Sequence, residues 1–296
     1  MKRFKIRTGK CEPHDITREN FERYTRKEKG KYVQIGRDLE QRCFAVCPAC
    51  DNPIQLIGLY KGDKTYGKHY CRSVSKIAEH NEQAYRLCPY ASNNYSPPNK
   101  EDRKAEMTEF ELEIYNIVRE HFDQIIYLLK KETGLYIDAS FARSILRSYY
   151  AARGWMYNWA TLYNIPWMLL YLYSGFDVFG MLASKESSLH EFLQGNRRYK
   201  LEEQSDFYDK IKTTQWTKSN LMLSNHKRSV ESDEVCETVT LDLAIEENGS
   251  WTSVWEKTLE INENRFPRLI NSESRETFRD EALLSIAREE LPEISI

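Results

Sequence analysis

The 296-residue chain lacks the short motifs that announce common chemistries. It has no Walker loop, no dinucleotide-binding fingerprint, no nucleophile elbow and no His-Glu-x-x-His pair. The main routes to nucleotide hydrolysis, hydride transfer, acyl transfer and metalloproteolysis are therefore without a sequence handle. The zinc-deaminase signature fails as well, because no His-x-Glu lies upstream of Cys47. No internal repeat is visible, and the six histidines are scattered; His14, His80, His121, His190 and His226 read as surface or helix residues. The opening Met-Lys-Arg-Phe-Lys-Ile-Arg is basic, but no apolar segment follows it, so the sequence reads as one without an export signal. Long hydrophobic runs are also missing, with one near-exception. Residues 165–183 (IPWMLLYLYSGFDVFGMLA) carry Asp177, two glycines and an early proline, and no Lys or Arg cluster flanks them. A bilayer crossing takes about 20 apolar residues, so a buried helix or helix pair is the better expectation. No membrane association is expected.

What is present is enough for a core: 41% of residues are hydrophobic and 12% aromatic, with 19 Tyr beside 12 Phe and 6 Trp. Tyr and Trp suit interfaces as well as interiors. The net charge of −2 hides an asymmetry. Lys and Arg outnumber Asp and Glu by 20 to 11 in residues 1–100, stand 17 to 17 in residues 101–228, and fall to 6 against 17 in residues 229–296. Such a gradient fits nucleic-acid contact by the basic end, head-to-tail self-association, an acidic surface aimed at a basic partner, or simply two solvated faces.

Seven cysteines is an odd number, and five of them fall between positions 43 and 88. Clustering without an export signal points to a reducing compartment, read as cytoplasmic, and to metal binding rather than disulfides. Cys47-Pro-Ala-Cys50 has the spacing that lets two thiolates reach one ion from a tight turn. His69 follows Cys50 by 19 residues, Cys71 by two more, and Cys88 by a further 17. The expected ligands of a zinc ion are Cys47, Cys50, His69 and Cys88. His69 is preferred over Cys71 because it sits in an aromatic, glycine-flanked turn; Cys43 reads as a buried strand residue. Four protein ligands leave no vacancy for substrate, so the zinc is expected to be structural and no catalytic residue is assigned.

The expected fold class is α+β and multidomain. Residues 1–98 form a zinc-binding module, 105–198 an antiparallel helical domain and 199–296 an α+β domain. In the first, residues 2–8, 32–35, 43–46 and 54–60 read as strands, 14–30 as helix-compatible, and 74–87 as a helix. Residues 92–106, with Pro97-Pro98, read as a linker. Thr108 and Glu111 form a capping box before a stripe from Phe110 to Leu129 that Gly134 ends, and Asp138 caps a second helix to about Arg153. Residues 155–182 read as two helices split near Pro166. Residues 235–245 and 251–261 alternate about Asn248-Gly249, a hairpin, and 277–291 reads as a closing helix with Phe278, Ala282, Leu283, Ile286 and Ala287 inward.

The run from Cys47-Pro-Ala-Cys50 to His69-Tyr70 resembles the zinc-finger-like start of competence CoiA-family proteins, although nothing downstream looks like that family's nuclease domain. The segment YGKHYCRSVSKIAEHNEQAYRLCPYA (residues 66–91), with the size and three-part layout, resembles the phage-encoded Gabija anti-defence proteins. That resemblance implies a non-enzymatic inhibitor that oligomerises around a bacterial Gabija nuclease complex and blocks its DNA binding and cleavage, acting in the host cytoplasm. The alternative function is a zinc-containing nucleic-acid-binding or nuclease-accessory protein using basic and aromatic residues 21–32 (FERYTRKEKGKY).

Overall fold

In the computed structural model the described residues are 1–36, 39–61, 64–91, 100–214, 217–231, 234–271 and 279–295. The chain opens with a two-stranded pair, β1 (Arg3–Phe4) and β2 (His14–Asp15), followed by helix α1 (Arg18–Thr25). An antiparallel meander then runs through β3 (Val33–Ile35), β4 (Gln41–Val46), β5 (Pro53–Ile57) and β6 (Tyr66–His69), paired in that order. Lys5 ties β1 to the meander through backbone bonds of 2.8 and 2.9 Å with Val46. The expected strand over 2–8 is thus only Arg3–Phe4 with this bridge, and the expected helix over 14–30 only Arg18–Thr25. Arg26 takes left-handed φ and stops it.

The expected helix over 74–87 does not form. Val74 and Ile77 are buried by a tight turn in which Val74 and Ala78 bond each other and Lys76 has φ +65°. Only α2 (Glu82–Arg86) is helical, started by the Asn81 side chain accepting from Ala84 N–H. Polar Glu79, His80 and Asn81 supply a cap where the apolar period needed a continuing turn. Of the linker, residues 92–99 lie outside the described set.

Helix α3 (Glu109–Thr133) is the longest element. Glu111 accepts from the Thr108 backbone N–H at 2.9 Å, half of the capping box. The helix buries Phe110, Ile114, Ile117, Val118, Phe122, Ile125 and Leu129 and leaves helical geometry once, at His121. Gly134 ends it at φ +72°, where a Cβ would stand 2.3 Å from Ser187 Cβ. Helix α4 (Ala139–Ala151) starts at the Asp138 cap, as expected. Residues 155–182 are not two helices. A 3₁₀ turn (Gly154–Met156) and a loop lead to α5 (Ile165–Tyr171), and Pro166 lies in its first turn, where a missing N–H costs nothing.

A second sheet contains β7 (Leu182–Ser184), β8 (Tyr199–Glu203) and β9 (Tyr208–Thr213), ordered β7-β9-β8, with α6 (Ser188–Gly195) between the first two. β7 lies within 105–198, so that segment is not purely helical, and the sheet joins it to the residues beyond 199. The expected hairpin is present as β11 (Glu234–Glu247) and β12 (Ser250–Glu260), with Asn248 at φ +52° and Gly249 at φ +78°. It belongs to a three-stranded sheet, because β10 (Ser219–Glu231) pairs along β11. Helices α7 (Arg265–Asn271) and α8 (Glu281–Glu290) close the chain; Thr277 and Phe278 lie outside the described residues, and Ala282 is exposed rather than inward. α8 packs on α3 and α4, with Tyr115 Oη donating to Pro292 O at 2.6 Å and Arg143 paired with Glu289 and Glu290. The described residues are thus mixed α+β, with four small antiparallel sheets and one continuous cluster of buried side chains from Phe4 to Leu291. No helix among them is long and apolar enough to cross a membrane.

A bulge in β10 organises the interior under this sheet. Leu221 and Leu223 point inward, the register shifts between Ser224 and Lys227, and Asn225 takes φ +50°. The extra residue turns the even positions His226 and Arg228 inward instead. His226 is therefore a buried strand residue, not a surface or helix one. Both meet Glu237 of β11, which is fully buried. His226 Nε2 stands 2.8 Å and Arg228 Nε 2.9 Å from its carboxylate. Tyr163 Oη and the Asn164 amide also donate to it, each at 2.7 Å. Burial pushes this carboxyl's pKa up, but Arg228 and His226 more than offset it and hold it well below 4.5.

Because the folded pKa is depressed, this stabilisation is fully present above the unfolded carboxyl's pKa and fades as pH falls below it. Glu237→Gln is expected to cost about 3–5 kcal/mol at neutral pH by leaving Arg228 unpaired. Urea melts at descending pH should show that deficit shrinking in acid. An unchanged midpoint at neutral pH would mean that the buried carboxylate is not needed.

Candidate metal centre

The four donors expected from spacing converge. Cys47 follows the last residue of β4, and a turn returns the chain to β5, with Cys47 N–H bonded to Asn52 O at 2.8 Å. Asp51 takes φ +57° within that turn, which brings the Cys50 thiol round beside that of Cys47. β6 pairs with β5 so that His69 lies opposite Ile54, at the turn's end of the sheet. Cys88 follows α2, its N–H bonded to Tyr85 O at 3.0 Å. All four ligand atoms lie within 4.8 Å of one another.

The distances suit a tetrahedral ion. Cys47 Sγ and Cys88 Sγ are 3.7 Å apart, and Cys50 Sγ is 3.3 Å from His69 Nε2. Metal–sulfur bonds of about 2.3 Å and metal–nitrogen bonds of about 2.0–2.1 Å at tetrahedral angles place donors roughly 3.6–3.8 Å apart. Cys47, Cys50 and Cys88 are buried and His69 is half-buried, its ring edge-on to Tyr85 at 5.1 Å. Cys71 is exposed and outside the cluster, and Cys43 is buried in β4, both as expected.

The electrostatics favour a cation. Burial pushes the Cys50 thiol's pKa up, but hydrogen bonds with Cys47, Cys88 and Asn52 outweigh it and hold that thiol well below its usual range. Burial and the two neighbouring sulfurs hold Cys88 well above it. A divalent ion held by these sulfurs would offset the mutual repulsion of their thiolates. Two buried cations lie within electrostatic range, Lys104 of Cys50 and Arg228 of Cys88, each paired with its own carboxylate, Glu111 and Glu237.

Spacing alone did not disclose the residues around the donors. Asn52 donates to Cys50 Sγ at 3.3 Å and to Asn81 O at 3.1 Å, while its Oδ1 accepts from Asn81 N–H at 2.8 Å. Asn81 in turn reaches Thr108 Oγ1 at 3.1 Å, at the start of α3. Arg228 donates to Leu87 O, next to Cys88, and to Trp159 O. The signal for Asn52 was its place two residues after the Cys47–Cys50 turn; for Arg228, 140 residues from Cys88 in sequence, there was none. Asp51 adjoins the centre but is occupied by Lys5 Nζ and by Gly9 N–H.

Protein-family models, curated proteins and solved structures were compared with the chain, and none matches. The geometry of the four donors therefore stands on its own.

The expected composition is one divalent ion per chain, measured by inductively coupled plasma mass spectrometry. Cys50→Ser and Cys88→Ser should each abolish it, and Cys71→Ser should leave it unchanged. Full metal content in Cys88→Ser would remove this residue from the ligand set.

Proposed function

We propose that the protein is a non-enzymatic, protein-binding inhibitor whose amino-terminal module is held together by one structural zinc ion. The observation that carries this reading is the closed donor set. Three sulfurs and one imidazole nitrogen favour zinc among divalent ions and use all four tetrahedral positions, so no position remains for water or substrate. The neighbouring carboxylate, Asp51, is engaged by Lys5 and so is poorly placed as a general base. Zinc here ties together segments whose own core is small, and its binding energy is folding energy.

The partner follows from the resemblance to Gabija anti-defence proteins, carried by residues 66–91, which contain both His69 and Cys88. The proposed action is assembly of several copies around a bacterial Gabija nuclease complex, closing off its DNA. Exposed aromatics on the carboxy-terminal half, Phe207 and Trp251, suit a contact surface, with acidic Glu247 and Glu256 on the same hairpin as Trp251.

Light scattering after size exclusion should show an oligomer, and mixing with a purified Gabija complex should give a larger co-eluting species that no longer cuts DNA. Failure to co-elute and to inhibit would end the inhibitor reading. Chelation with a zinc-selective reagent should lower the melting temperature and release zinc in step. A stable, fully folded chelated protein would end the structural-zinc reading.

A further inference from the structure

The amino-terminal module presents a cationic, aromatic surface that neither the metal centre nor the hairpin explains. Residues 18–31 carry six cations, Arg18, Arg23, Arg26, Lys27, Lys29 and Lys31, against three carboxylates. α1 is anchored from beneath by buried Phe21 and Thr25, which turns Arg18, Arg23 and Tyr24 outward. Among the described residues only Glu22 pairs with any of these cations, with Arg18 at 2.9 Å and Lys27 at 2.7 Å. Among the described residues no carboxylate stands within 4 Å of the charged groups of Arg23, Arg26, Lys29 or Lys31.

Rings are interleaved with these charges. Arg18 and Lys27 lie 5.3 and 5.1 Å from the centre of the Tyr60 ring, and Arg23 lies 5.3 Å from that of Tyr24. His14 stacks on Tyr24 with centroids 3.6 Å apart and planes within 4°. Tyr24 and Tyr60 remain 37% and 39% exposed. A third observation concerns the backbone. Arg26 and Lys27 are successive non-glycine residues with left-handed φ, +50° and +53°. That conformation is unfavourable for either side chain, and segments of this kind persist where geometry serves a task. Here the turn holds a cluster of cations on the solvent side beside the two tyrosines.

We infer that this surface, built from α1, the turn after it and Tyr60, binds single-stranded nucleic acid. The cations would track phosphates, and the His14–Tyr24 stack would extend by a base. A folded acidic protein would satisfy the charges but offers no base to stack on the His14–Tyr24 pair, and a duplex hides its base faces. This inference does not rest on the inhibitor reading, and its test needs no partner complex.

The probe is a fluorescein-labelled 20-nucleotide oligothymidylate, titrated with the intact protein and followed by anisotropy between 50 and 200 mM NaCl. Four phosphate contacts at a slope of about −0.7 each should weaken binding about fifty-fold over that range. Combined Arg23→Gln, Arg26→Gln and Lys29→Gln should remove most of that slope and lower the affinity at 50 mM at least about tenfold. Tyr24→Ala should weaken binding about tenfold at every salt concentration and leave the slope intact, a signature that a purely ionic contact does not give. Circular dichroism and metal content check that the variants are folded. Should the triple variant not fold, Lys29→Gln alone, at an exposed site, should lower the slope by about 0.7. No binding at 50 mM, binding indifferent to these substitutions, or equal competition by polyglutamate or by a duplex would each overturn the proposal.

Discussion

Three buried sulfurs set against one another and a single imidazole form the constraint on which the amino-terminal third depends. They come from a β-turn, a strand end and the loop after a short helix, and they sit inside the same buried cluster as the apolar residues of the meander. Each donor is useful only if the other three arrive, so the meander, the tight turn at 74–78 and α2 are correct together or not at all. The consequences reach further through Asn52, Asn81 and Thr108, which link the sulfur cluster to the start of the longest helix. Order at the centre is thereby transmitted into the helical middle by hydrogen bonds rather than by apolar contact alone.

The donor set was legible in the sequence because metal ligation depends on residue type and local spacing. His69 was preferred over Cys71 as part of an aromatic, glycine-flanked turn; in the structure it joins the cluster because it ends strand β6, opposite Ile54. α3, α4 and the Asn248-Gly249 hairpin were legible for the same reason: caps, periods and turn residues act over a few positions. The failures share a cause as well. At 74–87 apolar spacing suggested a helix, but Asn52 draws Asn81 into a cap and breaks the run. Pro166 looked like a break and is a beginning, since its effect depends on which turn it occupies. β10 was missed because its bulge interrupts the alternation on which strand reading relies, and β7 to β9 because short strands paired at the surface carry little periodicity.

The Glu237 knot shows a different kind of cohesion. Its carboxylate gathers donors from the loop before α5 and from β10, and Arg228 extends the knot to Leu87 beside the metal centre. Buried charge of this sort stabilises little relative to apolar packing of equal volume, but it tolerates no partial removal. It fixes which faces meet rather than how strongly, which suits a chain whose strands are mostly short.

The bulge at Asn225 sets the parity of everything after it in β10. Were the strand to run straight through this point with every residue kept, the result would be a reading-frame slip in three dimensions: Lys227 and Ser229 would be presented to the interior, while His226 and Arg228 would be carried out to solvent; deleting Asn225 alone would remove the bulge and leave those faces unchanged.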